Sequence, residues 1–202
     1  MKLKLGFLAS HGGSSFQTIY RAIRAGHLDA EACVVISNNS KSAALAFART
    51  AGVPAYHLSL QTESTPELLD EEIKRTLQAH GVQFVVLSGY MKKLGPQTLA
   101  TYHQRIFNIH PALLPRYGGQ GMYGDHVHQA VLATGERETG ITIHLIDEHY
   151  DHGEILAQCK VPVLSGDTVE SLSQRVRERE PGFFLEVLQH LAAQNTFSKP
   201  LC

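Results

Sequence analysis

Residues 3–26 read LKLGFLASHGGSSFQTIYRAIRAG, and their order sets the fold. An apolar run gives way to Gly12, Gly13, Ser14 and Ser15, after which Phe16, Ile19, Tyr20 and Ile23 recur at helical spacing until Gly26. Strand, tight turn and helix follow one another. The alternation continues outward from there. EACVVIS (31–37) reads as a strand, SAALAFARTAG (42–52) as a helix and AYHLSL (55–60) as a short strand. TPELLDEEIKRTLQAHG (65–81) is a helix that Thr65 can cap, Pro66 can open and Gly81 can end. FVVLSG (84–89) is the most apolar strand and belongs at the centre of the sheet. RIFNIH (105–110) is a strand and DHVHQAVLATG (125–135) a helix, followed by strands at GITIHLI (140–146) and GEILAQCKVPVL (153–164). A long helix closes the chain at 167–194, with Asp167 and Glu170 fitting a capping box. Inside it Pro181 lacks an N–H and crowds the carbonyl of Arg177, which predicts a kink.

Such alternation specifies an α/β fold: a doubly wound, mainly parallel sheet with helices on both faces. The last two strands follow each other across a short polar loop and suit an antiparallel extension near the C-terminus. No internal repeat, low-complexity segment or linker-like run interrupts the 202 residues, so a single domain over 1–202 is expected.

Composition narrows the function classes. A net charge of −1 with no long basic run argues against a nucleic-acid surface. No apolar stretch reaches the length of a membrane span, and Lys4 and Gly6 break the short run at the start. The three cysteines, Cys33, Cys159 and Cys202, are far apart and form no CxxC pair. A reducing cytoplasm is the simplest setting. Cys33 and Cys159 read as small apolar groups on strands. Twelve histidines raise the question of a metal. His126 and His128, however, begin a helix, where residues two apart diverge, and no cysteine joins them. No metal is expected. RVRERE (175–180) reads as a solvated helix face with i,i+4 pairs.

In sheets of this class ligands sit at the carboxyl ends of strands. Three such ends carry chemistry. The first is SHGGSS (10–15), whose glycines permit close backbone approach at a helix N-terminus. It matches neither a P-loop nor GxGxxG, and it suits one phosphate monoester, or else an ordinary turn capped by serine. The second is FNIHPALLPRY (107–117). Asn108 and His110 are two apart and share a strand face, and Pro111 ends the ladder. An amide and an imidazolium are both donors, suited to negative charge developing on a carbonyl oxygen. Otherwise they satisfy backbone groups in a turn. The third is IDEHYDHGEI (146–155), with Asp147, Glu148 and Asp151. A carboxylate beside His110 would favour its charged form and fix which ring nitrogen faces a substrate. Spacing alone does not choose among the three acids.

GSSFQ, LSGYMKKL, NIHPALLPRY and GITIHLIDEHYDHGEILAQCKVPV, in that order, resemble the phosphoribosylglycinamide formyltransferases (GAR transformylases), within the folate-dependent formyltransferases. The resemblance runs from about residue 3 to about residue 192. It implies a Rossmann-like formyltransferase fold and a transferase of purine biosynthesis. The activity implied is formyl transfer from 10-formyltetrahydrofolate, a co-substrate, to the amine of glycinamide ribonucleotide (GAR). By position, Gly13, Ser14 and Ser15 match the phosphate loop, and Met91, Lys92, Lys93 and Leu94 the folate pocket. Asn108, His110 and Asp151 match the catalytic set, with Asn108 also beside the folate. Glu180 matches an acid on the ribose hydroxyls, and His144 a supporting histidine. Four departures stand out. Ser15 replaces a common Asn, and Glu154 replaces a proline after the catalytic aspartate. No arginine for the folate tail stands near Ser64, and Pro181 follows Glu180. The partners implied are these two small molecules, with no nucleic acid and no membrane, acting on a monomer or homodimer. Three related activities compete with this one; a sugar-nucleotide formyltransferase is not set apart by length, and the single-phosphate loop favours a nucleotide monoester over it. Methionyl-tRNA formyltransferases need a C-terminal tRNA-binding domain, and formyltetrahydrofolate hydrolases an N-terminal regulatory domain. Length disfavours both.

Overall fold

The structure is a computed structural model that describes residues 2–193. Cys202, expected at the end of the chain, lies outside the described residues. Thirteen elements follow in order: β1 (Leu3–Leu8), α1 (Ser14–Arg24), β2 (Ala30–Ser37), α2 (Ala43–Thr50), β3 (Ala55–His57), α3 (Pro66–Ala79), β4 (Phe84–Leu87), α4 (Pro96–Thr101), β5 (Ile106–His110), α5 (Asp125–Ala133), β6 (Glu138–Leu145), β7 (Ile155–Pro162) and α6 (Val169–Ala193). The strands form one seven-stranded sheet in the order β3-β2-β1-β4-β5-β6-β7. The first five run parallel, while β6 is antiparallel to both β5 and β7. This is the doubly wound sheet with an antiparallel extension that the alternation specifies.

FVVL takes the central place because all four residues of β4 are buried, as a strand covered on both faces must be. One apolar layer sets α1, α2, α5 and α6 against the sheet through Phe16, Leu45, Val131 and Phe184. The other sets α3 and the α4 segment against the opposite face through Ile73, Leu77 and Tyr102. Phe16 lies 4.8 Å from Phe7 and 5.5 Å, edge on, from Phe47. Aromatic pairs of this kind add about 0.5–1.5 kcal/mol each beyond burial, and here they fix the first turn of α1 over β1.

Several boundaries differ from expectation. β3 stops at His57 because Ser59 and Thr62 exchange hydrogen bonds and turn the chain away. The short α4, unforeseen, is capped from a distance: Asp70 accepts from the Gln97 and Thr98 amides at 2.7 and 3.0 Å. Gly95 leaves room for it, since a Cβ there would meet the Asp70 Cγ at 2.3 Å. The capping box of α6 is not Asp167 with Glu170. Thr168 and Ser171 exchange it, each backbone N–H donating to the other's hydroxyl at 3.0 and 3.2 Å. Asp167 instead accepts from the two terminal guanidinium nitrogens of Arg175 at 2.7 and 2.8 Å, which hold its carboxyl well below the usual range. α6 spans 25 residues and runs through Pro181 as one element.

Candidate active site

The chain reverses its direction of winding between β1 and β4, and the loops that follow both strands open at this crevice. Cross-bonds tie them. Ser10 N–H donates to the Gly89 carbonyl at 3.0 Å, and the Met91 amide donates to Ser10 Oγ at 2.8 Å. The Phe16 amide donates to Ser88 Oγ at 3.0 Å, and Ser10 Oγ donates to Asn38 at 2.6 Å. A cavity of about 780 Å³ lies above them. That volume suits a small-molecule site.

At one end of the cavity stands the start of α1. Gly13 occupies the cap position with φ 63°, and a Cβ there would meet the Ala44 Cβ at 2.9 Å. Gly13 has no side chain to cap this helix, and Ser88 from the loop after β4 takes only the Phe16 amide. The alternative of a serine-capped turn is therefore not what forms: Ser14 and Ser15 are the first two helical residues. Their amides border the cavity with the positive end of the helix dipole. Met91, Lys92, Lys93 and Leu94 border it from the β4 side, where Tyr90, Leu99 and Ile146 add an apolar surface.

β5 brings Asn108 and His110 to the same wall, and β6 sets His144 directly opposite Asn108. The His144 Nδ1–H donates to the Leu145 carbonyl at 2.8 Å, so its Nε2 carries the lone pair and accepts from Asn108 Nδ2 at 3.0 Å. Burial holds His144 below its usual pKa of 6.5. It is a neutral acceptor, and its 3.6 Å approach to Asp151 is not an ion pair. The His110 Nε2–H donates to the Tyr117 carbonyl at 2.7 Å, and Nδ1 faces Asp151 Oδ2 at 3.5 Å. Two acceptors thus face the two ring nitrogens of a histidine that is 3% exposed.

Both acceptors are held in place. The loop after His110 is pinned where Leu114 N–H donates to Thr142 Oγ1 at 3.0 Å, Thr142 donates to the Ala112 carbonyl at 2.7 Å and Gln158 donates to the Leu114 carbonyl at 2.8 Å. Asp151 belongs to the loop that doubles back after β6. Its own φ is 59°, and its carboxylate accepts the Gly119 amide at 2.9 Å. Gly153 lets this loop lie on the end of β6, because a Cβ there would meet the Leu145 carbonyl oxygen at 1.9 Å. Glu154 serves the turn with its backbone, its carbonyl accepting from the Leu145 amide at 2.9 Å.

Every residue singled out from the sequence borders this one cavity: Gly13, Ser14 and Ser15; Met91 to Leu94; Asn108, His110, His144, Asp151 and Glu180. Burial pushes the Glu180 carboxyl up to about 7, with Arg177 pulling the other way. RVRERE is not simply a solvated face: Arg177 and Glu180 point to the cavity, and Arg175 and Arg179 pair with Asp167 and Glu186. Sequence reading missed Tyr117, Gly119, His128 and Ser173. Tyr117 and Gly119 act through backbone atoms, which carry no residue signature. Ser173 falls four before Arg177 and seven before Glu180, a helical spacing that was there to be read. Among the described residues no group of three or more His, Cys, Asp or Glu side chains is placed to hold a metal, and no helix is long and apolar enough to cross a membrane.

Residues 3–188 match the family described as formyl transferase. The chain is 40% identical over 191 residues to the chloroplastic phosphoribosylglycinamide formyltransferase of Vigna unguiculata, covering 95% of this chain and 61% of that one. Against the phosphoribosylglycinamide formyltransferase of Haemophilus influenzae it is 36% identical over 177 residues, covering 88% of this chain and 81% of the relative. It thus spans about three fifths of the length of the plant relatives it matches. Among solved structures, glycinamide ribonucleotide transformylase 1 of Symbiobacterium toebii superposes with a TM-score of 0.88 at 34% identity, over 96% of this chain and 89% of that one. A formyltetrahydrofolate deformylase of Pseudomonas syringae pv. tomato superposes with a TM-score of 0.84 at 26% identity, over 95% of this chain and 62% of that one.

Proposed function

The chain belongs to the formyl transferase family, and on that footing we propose that it transfers the formyl group of 10-formyltetrahydrofolate to the amine of glycinamide ribonucleotide, giving formyl-GAR and tetrahydrofolate. The observation that carries this reading is the joining, in one cavity, of an open helix N-terminus with the Asn108, His110 and Asp151 set. The amides of Ser14 and Ser15, behind Gly13, take the single phosphate. Glu180 takes the ribose hydroxyls. The apolar surface beside Met91, Lys92, Lys93 and Leu94 receives the folate, whose flat ring suits Tyr90, Leu99 and Ile146.

The amine attacks the formyl carbon and an oxyanion forms on the formyl oxygen. Asn108 keeps one amide hydrogen on His144 and offers the other to that oxygen. His110, whose ring nitrogens face Asp151 and the Tyr117 carbonyl, supplies the second donor. Its Nδ1 stands 3.5 Å from Asp151, too long for a settled hydrogen bond, which leaves this nitrogen open to a substrate oxygen. Collapse of the intermediate breaks the bond from carbon to the folate nitrogen. The proton released by the amine ends on that nitrogen. His144, locked neutral, positions Asn108 and takes no proton.

The likeness to a formyltetrahydrofolate deformylase favours a second reading, hydrolysis of the same formyl-folate with water as acceptor. One assay separates them. Purified protein is mixed with 10-formyltetrahydrofolate, and tetrahydrofolate absorbance is followed with and without GAR. Release that depends on the ribonucleotide is the expected result. Release without it would establish the hydrolase, and none in either mixture would overturn both.

A further inference from the structure

Two helices build the polar wall of the cavity. α5 presents Asp125 and His128, three apart, and α6 presents Ser173, Arg177 and Glu180 at intervals of four and three. Ser173 Oγ donates to Asp125 Oδ1 at 2.9 Å and holds the two helices in register. Within this wall one side chain is unanswered. His128 is 2% exposed, and its Nδ1 is sealed from solvent with no hydrogen-bond partner. The residue lines the cavity.

The protonation state follows from the surroundings. Burial lowers the His128 pKa below 6.5. Asp125 works against this, while Arg177 and His110 work with it, so the ring is neutral at pH 7. A neutral imidazole carries one proton. Buried N–H groups without partners are rarer than buried acceptors without them, so the proton belongs on Nε2. The ring lines the same cavity as Arg177 and Glu180 on α6 and His110 on β5.

We propose that His128 is a binding residue for the ribonucleotide, donating from Nε2 to an oxygen of the sugar–glycinamide portion between the phosphate and the reacting amine. This rests on the reading of the cavity as a ribonucleotide site. A substrate lacking an acceptor there leaves the Nε2–H buried without a partner and is rejected on that ground.

The test is calorimetric titration of glycinamide ribonucleotide, and separately of tetrahydrofolate, into the wild type, His128→Leu and His128→Gln, with thermal melts of all three. The Leu variant is expected to bind the ribonucleotide about tenfold or more weaker, the loss of one buried hydrogen bond. Its tetrahydrofolate affinity should stay at the wild-type value. His128→Gln, whose amide nitrogen reaches the place of Nε2, should recover most of the loss. Wild-type ribonucleotide binding by the Leu variant would overturn the inference alone, as would equal losses for both ligands with a lowered Tm. Failure of the wild type to bind the ribonucleotide would overturn the functional reading and this inference with it.

Discussion

Asp151 Oδ2 stands 3.5 Å from His110 Nδ1 while the same oxygen accepts the Gly119 amide hydrogen at 2.9 Å. The carboxylate is aimed by backbone on one side and faces the imidazole on the other. Asp151→Ala and Asn108→Ala are each expected to lower kcat by roughly 10²–10³-fold, the usual cost of losing oxyanion stabilisation. Far-ultraviolet circular dichroism should be unchanged. Near-normal turnover in either variant would remove that residue from the mechanism.

Gly13 bears on the phosphate end. A side chain there meets two obstacles, a φ of 63° and the Ala44 Cβ at 2.9 Å. Gly13→Ala should cost about 1–2 kcal/mol of stability and weaken GAR binding more than folate binding. Equal losses for both ligands would mean that the loop serves the whole fold rather than the phosphate.

Asp70 bears on neither substrate. It is 4% exposed and accepts from two amides of α4 and from the Thr98 hydroxyl at 2.6 Å. Asp70→Ala strands both amides, while the Thr98 hydroxyl keeps the backbone carbonyl of residue 70 at 3.2 Å, and a loss of about 2–4 kcal/mol is expected from denaturant melts. kcat measured well below the new Tm should remain within a fewfold of wild type. A neutral melt would show that water replaces the carboxylate at no cost.

Glu180 predicts a dependence on pH. Its folded-state pKa is pushed up to about 7 from 4.5, so across that window the folded protein binds the proton that the unfolded chain releases. Stability therefore falls as pH climbs through the window and levels off above it. Glu180→Gln does not titrate and should gain on the wild type over the same range. At 1.36 kcal/mol per unit the gain has a ceiling of about 3 kcal/mol. A stability difference that stays flat with pH would place the carboxyl in water.

The alternation of strands and helices, the helix faces and the placing of Asn108 and His110 on one strand face were legible because each rests on local rules. The period of Phe16, Ile19, Tyr20 and Ile23, the unbroken apolarity of FVVL and the two-residue spacing of Asn108 and His110 all survive folding unchanged. What was not legible came from distance. The cap of α4 is lent by Asp70, 27 residues away. The capping box of α6 went to Thr168 and Ser171 once Arg175 had claimed Asp167. The choice of Asp151 over Asp147 and Glu148 needed the resemblance, because only the doubled-back loop over Leu145 decides which acid reaches His110. The backbone partners of that pair, Tyr117 and Gly119, are invisible to any reading of side chains.

The bonds that Ser10 and Ser88 make across the crevice between β1 and β4 have a thermodynamic consequence. The segment at the start of α1 and the segment after β4 form one cross-bonded floor, ordered when the chain folds. Neither ligand then has ordering left to do for the other through this floor. Synergy between the two, measured as the change in affinity for one when the other is present, must arise instead in the opposite wall of the cavity or in direct contact between the ligands. A strong synergy that vanishes in Ser10→Ala would locate it in the floor after all.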